Sequence, residues 1–132
     1  MAVRNANLSL SPLIAIVDDD TYVREAIQAL LQASGFASEA FASAEDFLAS
    51  GRLNETVCLI TDLQLGGMSG LQMQRHLGSL GFTAPIIVIT AFPDDGRKAL
   101  TAGALCVFDK PFIKDELLSC IRLVLGSGGR QP

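Results

Sequence analysis

Five short segments of the chain have the apolar character and the length of buried β-strands. Four of them are almost continuously apolar, a pattern typical of parallel strands that helices cover on both faces. The four lie at residues 13–17, 57–61, 86–89 and 105–108, and a weaker segment lies at 37–41. The pattern predicts a parallel sheet whose ligand crevice lies beyond the carboxyl ends of its strands.

Apolar residues between these segments recur at helical spacing. In the first intervening stretch Val23, Ile27 and Leu30 follow i, i+4, i+7, which indicates an amphipathic helix lying on a sheet. Glycine marks the ends of the predicted helices, because a residue without a side chain adopts the left-handed cap conformation at low cost. These glycines are Gly35, Gly81 and Gly103.

Strands and helices alternate along the chain, which indicates an α/β fold. We predict an open, doubly wound sheet of five parallel strands in the order 2-1-3-4-5, flanked by five helices. One domain over residues 11–126 would contain these elements. An N-terminal arm at 1–10 would precede it, and a flexible tail or the start of a linker at 127–132 would follow.

The composition restricts the location and the partners of the chain. Apolar residues make up 49% and charged residues 18% of its 132 residues, as in a folded domain, and the net charge of −4 argues against direct nucleic-acid binding. No run reaches the ~20 apolar residues that cross a bilayer, so we expect a cytoplasmic protein without membrane contact. Cys58, Cys106 and Cys120 lack metal-ligand spacing, and we expect reduced thiols.

The predicted strand ends carry residues suited to phosphate and metal chemistry. They are Asp18 and Asp19 after the first strand, Asp62 after the third, Thr90 after the fourth and Lys110 after the fifth. In the predicted order the first and third strands are neighbours, so three carboxylates would share one site and repel each other unless a cation neutralised them. Mg²⁺ suits such oxygen ligands, and a carboxylate can attack phosphorus to give an acyl phosphate.

Each of these residues also has an ordinary structural interpretation. Asp20 is best explained as the cap of the first helix, and Asp62 could simply begin a turn. A threonine at a strand end and a lysine on a surface are both common. Their occurrence together and in this order favours a shared site.

Five short motifs occur in order along the chain. They are Ile16-Val17-Asp18-Asp19-Asp20 with Val23-Arg24, Thr61-Asp62-Leu63 with Met68-Ser69-Gly70-Leu71, Ile89-Thr90-Ala91, Ala102-Gly103-Ala104, and Asp109-Lys110-Pro111-Phe112. Any one of them is a weak signal, but all five in sequence are specific. The chain resembles the receiver domain of bacterial two-component response regulators, nearest to the receivers of LuxR-type transcription regulators.

The resemblance implies a flavodoxin-like receiver fold and a role for each acidic residue. Asp62 would be the phosphoacceptor and would carry the aspartyl phosphate. Asp19 and Asp62, with the backbone carbonyl of Gln64, would bind Mg²⁺, and Asp18 would act through water.

The resemblance also assigns Thr90 to close on the phosphoryl group and Lys110 to pair with it, and it implies a cis bond between Lys110 and Pro111. Two departures from the family pattern matter. Leu65-Gly66 stands where Met-Pro is common, which predicts a looser acceptor loop. Val107 occupies the position of the aromatic switch residue, and a ring at Phe108 would point to the other face of the strand.

By the same resemblance the chain is a signalling domain and not an enzyme, since it would catalyse only its own phosphorylation and dephosphorylation. A sensor histidine kinase or a phosphotransfer protein would donate the phosphoryl group. The surface of the fourth helix and fifth strand would then switch to control a partner or an output domain, with a phosphorylation-linked homodimer at that face.

Two other functions remain open. A haloacid-dehalogenase-like phosphatase also uses Asp, Mg²⁺, Thr and Lys, but its first-strand motif has Thr or Val where this chain has Tyr22. A flavodoxin-like carrier needs a phosphate-binding loop after the first strand, where Asp18, Asp19 and Asp20 would repel FMN phosphate.

Overall fold

The structure, a computed structural model, describes residues 12–126. The predicted N-terminal arm and C-terminal tail lie outside the described residues. The strands are β1 (Leu13–Val17), β2 (Ser38–Phe41), β3 (Thr56–Thr61), β4 (Ile86–Thr90) and β5 (Cys106–Asp109). The helices are α1 (Thr21–Ala33), α2 (Ala44–Leu48), α3 (Gly70–Ser79), α4 (Pro93–Thr101) and α5 (Lys114–Ile121), with a 3₁₀ turn at Leu53–Glu55 and a π-helical turn at Arg122–Gly126.

The five strands form one parallel sheet in the order β2-β1-β3-β4-β5, which confirms the predicted topology. β1 pairs with both β2 and β3, so the direction in which strands are added reverses between β1 and β3. A crevice opens at such a reversal, beyond the carboxyl ends of the two strands. The register pairs Val17 with Thr61, so the residues that follow β1 and β3 emerge side by side.

The core consists of two apolar layers, one on each face of the sheet. One layer packs against α2, α3 and α4, and the other packs against α1 and α5. Val107 belongs to the first layer and Phe108 to the second. The expectation that the ring of Phe108 points to the opposite face from Val107 is therefore confirmed.

Helix caps fix where the chain turns into and out of each helix. The Asp20 side chain accepts the backbone N–H groups of Tyr22 at 2.9 Å and Val23 at 3.4 Å, and α1 begins directly after it. Helices α1, α3 and α4 are followed by glycines in the left-handed region, as predicted. The glycines are Gly35 (φ 85°), Gly81 (φ 82°) and Gly103 (φ 112°).

The end of the last helix is irregular. Regular α-helix ends at Ile121, and a π-helical turn continues to Gly126. The apolar face of α5 ends with Leu117 and Ile121, the residues that the helix buries against the sheet. Within residues 12–126 no helix has the length and apolar character to cross a bilayer.

The three cysteines have different surroundings. Cys58 is a buried free thiol, as expected, and burial raises its pKa to about 12. The sulfurs of Cys106 on β5 and Cys120 on α5 are in direct contact, as in a disulfide, which the sequence analysis did not expect. Their Cα atoms are 7.8 Å apart, beyond the span of about 4.4–6.8 Å usual for a protein disulfide. The backbone would have to close before a relaxed bridge formed, so the reduced state of this pair stays a prediction.

Candidate functional site

Three carboxylates meet at the carboxyl ends of β1 and β3. One oxygen from each of Asp18, Asp19 and Asp62 lies within 4.8 Å of the others. Asp18 and Asp62 are buried, and Asp19 is exposed. The adjacency of β1 and β3 therefore produces the cluster that the strand order predicted.

The Asp18 carboxylate is held from two sides. Its Oδ1 accepts the backbone N–H of Asp20 at 2.8 Å, and its Oδ2 lies 3.1 Å from the ammonium of Lys110. Its backbone carbonyl accepts Nη1 of Arg24 at 2.7 Å. Burial raises the pKa of Asp18 above its ordinary value of 3.8, although the hydrogen bonds with Asp20 and Lys110 act in the opposite direction. The fold thus holds this carboxyl in a place where a negative charge is costly.

The two oxygens of Asp62 have separate partners. Oδ1 accepts the backbone N–H groups of Leu63 at 2.6 Å and Gln64 at 3.1 Å. Oδ2 accepts a hydrogen bond from Nζ of Lys110 at 2.8 Å. These bonds fix the plane of the carboxylate, with one oxygen turned toward the lysine.

Lys110 is brought to the site by the connection after β5. Its backbone N–H donates to the carbonyl of Thr90 at 2.9 Å, and the peptide bond to Pro111 is cis, as predicted. Burial lowers the pKa of Lys110, but the hydrogen bonds and charges of Asp62 and Asp18 outweigh it and raise the pKa above 10.5. The ammonium therefore stays charged between the two buried acids.

The donor set fits a divalent cation. Three carboxylates and one ammonium leave two negative charges at the site. The available ligands are oxygens, which Mg²⁺ prefers, and exposed Asp19 keeps one side open to water. Asp18, Asp19 and Asp62 would hold the ion from their side of the crevice.

Thr90 ends β4 in a fully buried position, at the same edge of the sheet as this cluster. Its hydroxyl accepts the backbone N–H of Phe92 at 3.1 Å, and its carbonyl accepts that of Lys110. The structure thus joins Thr90 to the site through the backbone of Lys110, while Asp18, Asp62 and Lys110 are joined by their side chains.

Gln64 lies in the loop between β3 and α3, and its side chain is exposed. Its Nε2 donates to Oδ2 of Asp95 in the first turn of α4 at 2.7 Å. The family resemblance implies a metal-binding role for the Gln64 carbonyl, but no sequence motif indicates this side-chain bond. The two residues are 31 positions apart, and nothing local in the sequence marks them as partners.

A second contact missed by sequence reasoning ties the same loop to α2. Oε2 of Glu45 accepts the backbone N–H of Met68 at 2.8 Å. This hydrogen bond lowers the pKa of Glu45 below its ordinary value. In the sequence Glu45 has only the signal of an acidic residue in the first turn of a capped helix.

An apolar patch borders the site on the side of α1. It includes Tyr22, Val23, Ala26, Pro111 and Phe112, with Lys110 at its edge. The side chain of Tyr22 is strongly exposed, and the residue is 84% accessible to solvent. Lys110 belongs to both the patch and the carboxylate cluster, so the two are adjacent.

Comparison with known proteins identifies the family of the chain. A family model described as the response regulator receiver domain matches residues 14–122. The response regulator protein TodT of Pseudomonas putida is 43% identical over 115 residues, which cover 86% of this chain and 51% of TodT. The chain thus spans about half the length of the curated relatives it matches.

Solved structures that are similar to this chain are also response regulators. The structure of response regulator StyR superposes with a TM-score of 0.79 at 38% identity, covering 87% of this chain and 59% of that chain. The crystal structure of FixJ-N superposes with a TM-score of 0.76 at 35% identity, covering 85% of this chain and 91% of that one. These matches do not support the haloacid-dehalogenase-like phosphatase considered from the sequence.

Proposed function

Because the chain belongs to the family of response regulator receiver domains, we propose that it accepts a phosphoryl group on Asp62 and passes the signal on through α4 and β5. Receiver domains are signalling domains that histidine kinases phosphorylate, and they bind Mg²⁺ at an acidic pocket. The observation that carries the proposal is the convergence of the three carboxylates with Lys110, whose Nζ lies 2.8 Å from Asp62.

Asp62 is the proposed nucleophile because two backbone N–H groups hold its Oδ1 while its Oδ2 faces Lys110 at 2.8 Å, the shorter of the two contacts that Lys110 makes with the acids. In the proposed transfer a carboxylate oxygen forms a bond to phosphorus while the phosphorus–nitrogen bond of a phosphohistidine breaks. The imidazole leaves with the electron pair of that bond. Lys110 would neutralise the charge gathered on the phosphoryl oxygens, the role of a preorganised cation in phosphoryl transfer.

Mg²⁺ would supply further positive charge at the same oxygens. Asp19 and Asp62, with the Gln64 carbonyl, are the proposed direct ligands, and Asp18 is proposed to act through a bound water. The two negative charges that Lys110 leaves unneutralised support a cation at this site.

The proposed output surface comprises α4 and β5. Thr90 would close on the phosphoryl group. Its methyl group lies near Gly96 of α4, since a Cβ built on Gly96 would be 3.5 Å from Cγ2 of Thr90. The same Cβ would be 2.7 Å from Cγ1 of Val107. The bond between Gln64 and Asp95 links the acceptor loop to the start of the same helix. Movement at the site would thus reach α4 through close contacts, although Val107 stands in place of an aromatic switch.

We further propose a phosphorylation-linked homodimer through α4 and β5. β5 is an edge strand, and the exposed side of α4 carries Lys98 and the ion pair of Asp94 with Arg97, so both signs of charge would face a second copy. The solution mass with and without acetyl phosphate tests this directly. Equal monomer masses in the two conditions would contradict it.

The proposed phosphoryl donor is a sensor histidine kinase or a phosphotransfer protein. The apolar patch that includes Tyr22 and Phe112 supports a protein donor, because it offers burial next to the carboxylates. A cytoplasmic location, typical of response regulators, and control of an output remain parts of the proposal. We also propose that this segment does not bind nucleic acid directly, which the net charge of −4 supports.

Intact-mass analysis after incubation with acetyl phosphate and Mg²⁺ tests the acceptor. The parent chain should gain the mass of one phosphoryl group, and Asp62→Asn should gain none. Asp46→Asn, which changes an exposed aspartate on α2, is the matched control and should label like the parent. Equal labelling of Asp62→Asn would exclude Asp62 as the acceptor.

A further inference from the structure

The loop between β3 and α3 crosses from the phosphorylation site to the capped start of α3. Its first part is held at Asp62, which accepts the Gln64 N–H, and its last part by the capping box of Ser69 and Gln72. The middle contains Gly66 and Gly67. Two successive glycines give this stretch little intrinsic stiffness.

One hydrogen bond among the described residues ties the middle of this loop to the rest of the domain. It joins the Met68 N–H to Oε2 of Glu45 at 2.8 Å, across 23 positions of the sequence. Glu45 stands in the first turn of α2, a helix anchored by the buried side chains of Ala44 and Phe47. The acceptor is therefore carried by a fixed element.

The glycine at position 67 makes room for this bond. A Cβ built on Gly67 would lie 2.5 Å from Oε2 of Glu45, whereas a Cβ built on Gly66 meets nothing within 4 Å. A side chain at position 67 would displace the Glu45 carboxylate, and one at position 66 would not. The absence of a side chain at Gly67 therefore leaves the space that the Glu45 carboxylate occupies.

We propose that Glu45 is a positioning residue of the phosphorylation site, which holds the acceptor loop through Met68 and thereby fixes the backbone of Gln64 for the cation. This inference rests on the proposed function, because Gln64 matters to the cation only in a receiver. Glu45 takes over the restraint that the family's proline would give to the loop. The predicted looseness of Leu65-Gly66 is countered by a contact from another helix.

The role depends on a hydrogen-bond acceptor and not on a charge. Glu45 does not belong to the group of three carboxylates that could share a cation. A glutamine at this position keeps a carbonyl oxygen that can accept the Met68 N–H. An alanine removes the acceptor.

Amide hydrogen exchange and Mg²⁺ titration test the proposal together. In Glu45→Ala the Met68 amide should exchange about fivefold faster and the Mg²⁺ dissociation constant should rise about fivefold, the scale of one net hydrogen bond. Glu45→Gln should restore both toward the parent. Asp46→Ala, a change at the next position of the same helix, should leave both unchanged.

The glycine pair adds a second, independent test. Gly67→Ala should reproduce the effects of Glu45→Ala, and Gly66→Ala should not. The double variant Glu45→Ala/Gly67→Ala should be no worse than either single variant, because both remove the same bond. Because the Glu45 side chain is exposed, we expect each variant to remain folded, and thermal unfolding checks this.

Two results would overturn the proposal. In the first, the exchange rate of the Met68 amide and the Mg²⁺ dissociation constant of Glu45→Ala equal those of the parent. In the second, Gly67→Ala and Gly66→Ala give the same exchange rate and the same dissociation constant. A parent chain that binds Mg²⁺ but takes no phosphoryl group would contradict the proposed function instead. The exchange and titration data would still decide the role of Glu45.

Discussion

Lys110 and Asp62 lie 48 positions apart in the chain and are joined by a hydrogen bond of 2.8 Å. The same ammonium lies 3.1 Å from Asp18, so one cation bridges acids that follow two neighbouring strands. The bridge brings a positive charge to Asp62, whose other oxygen accepts two backbone N–H groups, whereas that of Asp18 accepts one.

Replacement of this cation tests its place in the transfer. Lys110→Met should slow phosphorylation by acetyl phosphate about 100-fold or more, the usual effect of removing one preorganised stabilising group. It should also lower the stability of the metal-free protein, because Asp18 and Asp62 lose their counter-charge. Time courses of intact mass measure the first effect, and urea unfolding measures the second.

The control for that experiment is Lys98→Met, which removes an exposed lysine from α4. The ion pair between Lys98 and Asp95, at 3.8 Å, should contribute little to stability. A rate for Lys110→Met that equals the rate for the control would contradict the proposed charge neutralisation.

The raised pKa of Asp18 predicts how stability depends on pH without metal. The folded state binds the Asp18 proton more tightly than the unfolded chain, so the free energy of unfolding falls as pH rises from the ordinary value of 3.8 through the raised folded value. Asp18→Asn should stabilise the metal-free protein at neutral pH and flatten this slope. Each unit by which the pKa is raised corresponds to about 1.4 kcal/mol.

Urea unfolding in a chelating buffer across the acidic to neutral range measures that effect. Added Mg²⁺ should stabilise the parent and should stabilise Asp18→Asn less, because the amide is a poorer partner for a metal-bound water. If Asp18→Asn were less stable than the parent at neutral pH without metal, the cost attributed to the buried charge would be wrong.

Two glycines of α3 have opposite surroundings and give a matched pair. A Cβ on Gly70 would lie 2.5 Å from the carbonyl oxygen of Asp62, and a Cβ on Gly78 meets nothing within 4 Å. Gly70→Ala should destabilise the protein by about 1–3 kcal/mol because the backbone after Asp62 must move. Gly78→Ala should be neutral or stabilising by up to about 1 kcal/mol, since alanine favours helix. Denaturant midpoints distinguish the two, and equal midpoints would refute the close approach.

The contact between α4 and β5 predicts a compensating pair. Gly96→Ala should destabilise the protein, because the added methyl group would meet Cγ1 of Val107 at 2.7 Å and overpacking costs about 1–3 kcal/mol. Val107→Ala removes the obstructing methyl groups. The double variant should therefore be more stable than the sum of the single changes predicts, which a double-mutant cycle measures. Strict additivity would show that the two residues do not meet.

The sequence predicted the parts of the site that depend on strand ends. Asp18, Asp62, Thr90 and Lys110 each follow an apolar run, and parallel strands bring their carboxyl ends to one edge, so local patterns and topology were sufficient. The position of Phe108 on the opposite face of the sheet from Val107 followed from strand alternation in the same way.

Contacts between loops and helices could not be predicted by that reasoning. The bonds from Gln64 to Asp95 and from Met68 to Glu45 depend on how far each loop extends over its neighbour, which neither periodicity nor capping determines. The meeting of Cys106 and Cys120 depends likewise on the rotation of α5 against the edge strand. Distances of this kind follow from packing of the whole domain.

The exposed ring of Tyr22 is an intrinsic fluorescent probe. The chain contains one tyrosine and no tryptophan, so its near-ultraviolet emission originates at the entrance to the carboxylate cluster. A cation, a phosphoryl group or a docked partner would alter the surroundings of that fluorophore. Occupancy can therefore be followed in real time without attaching a dye.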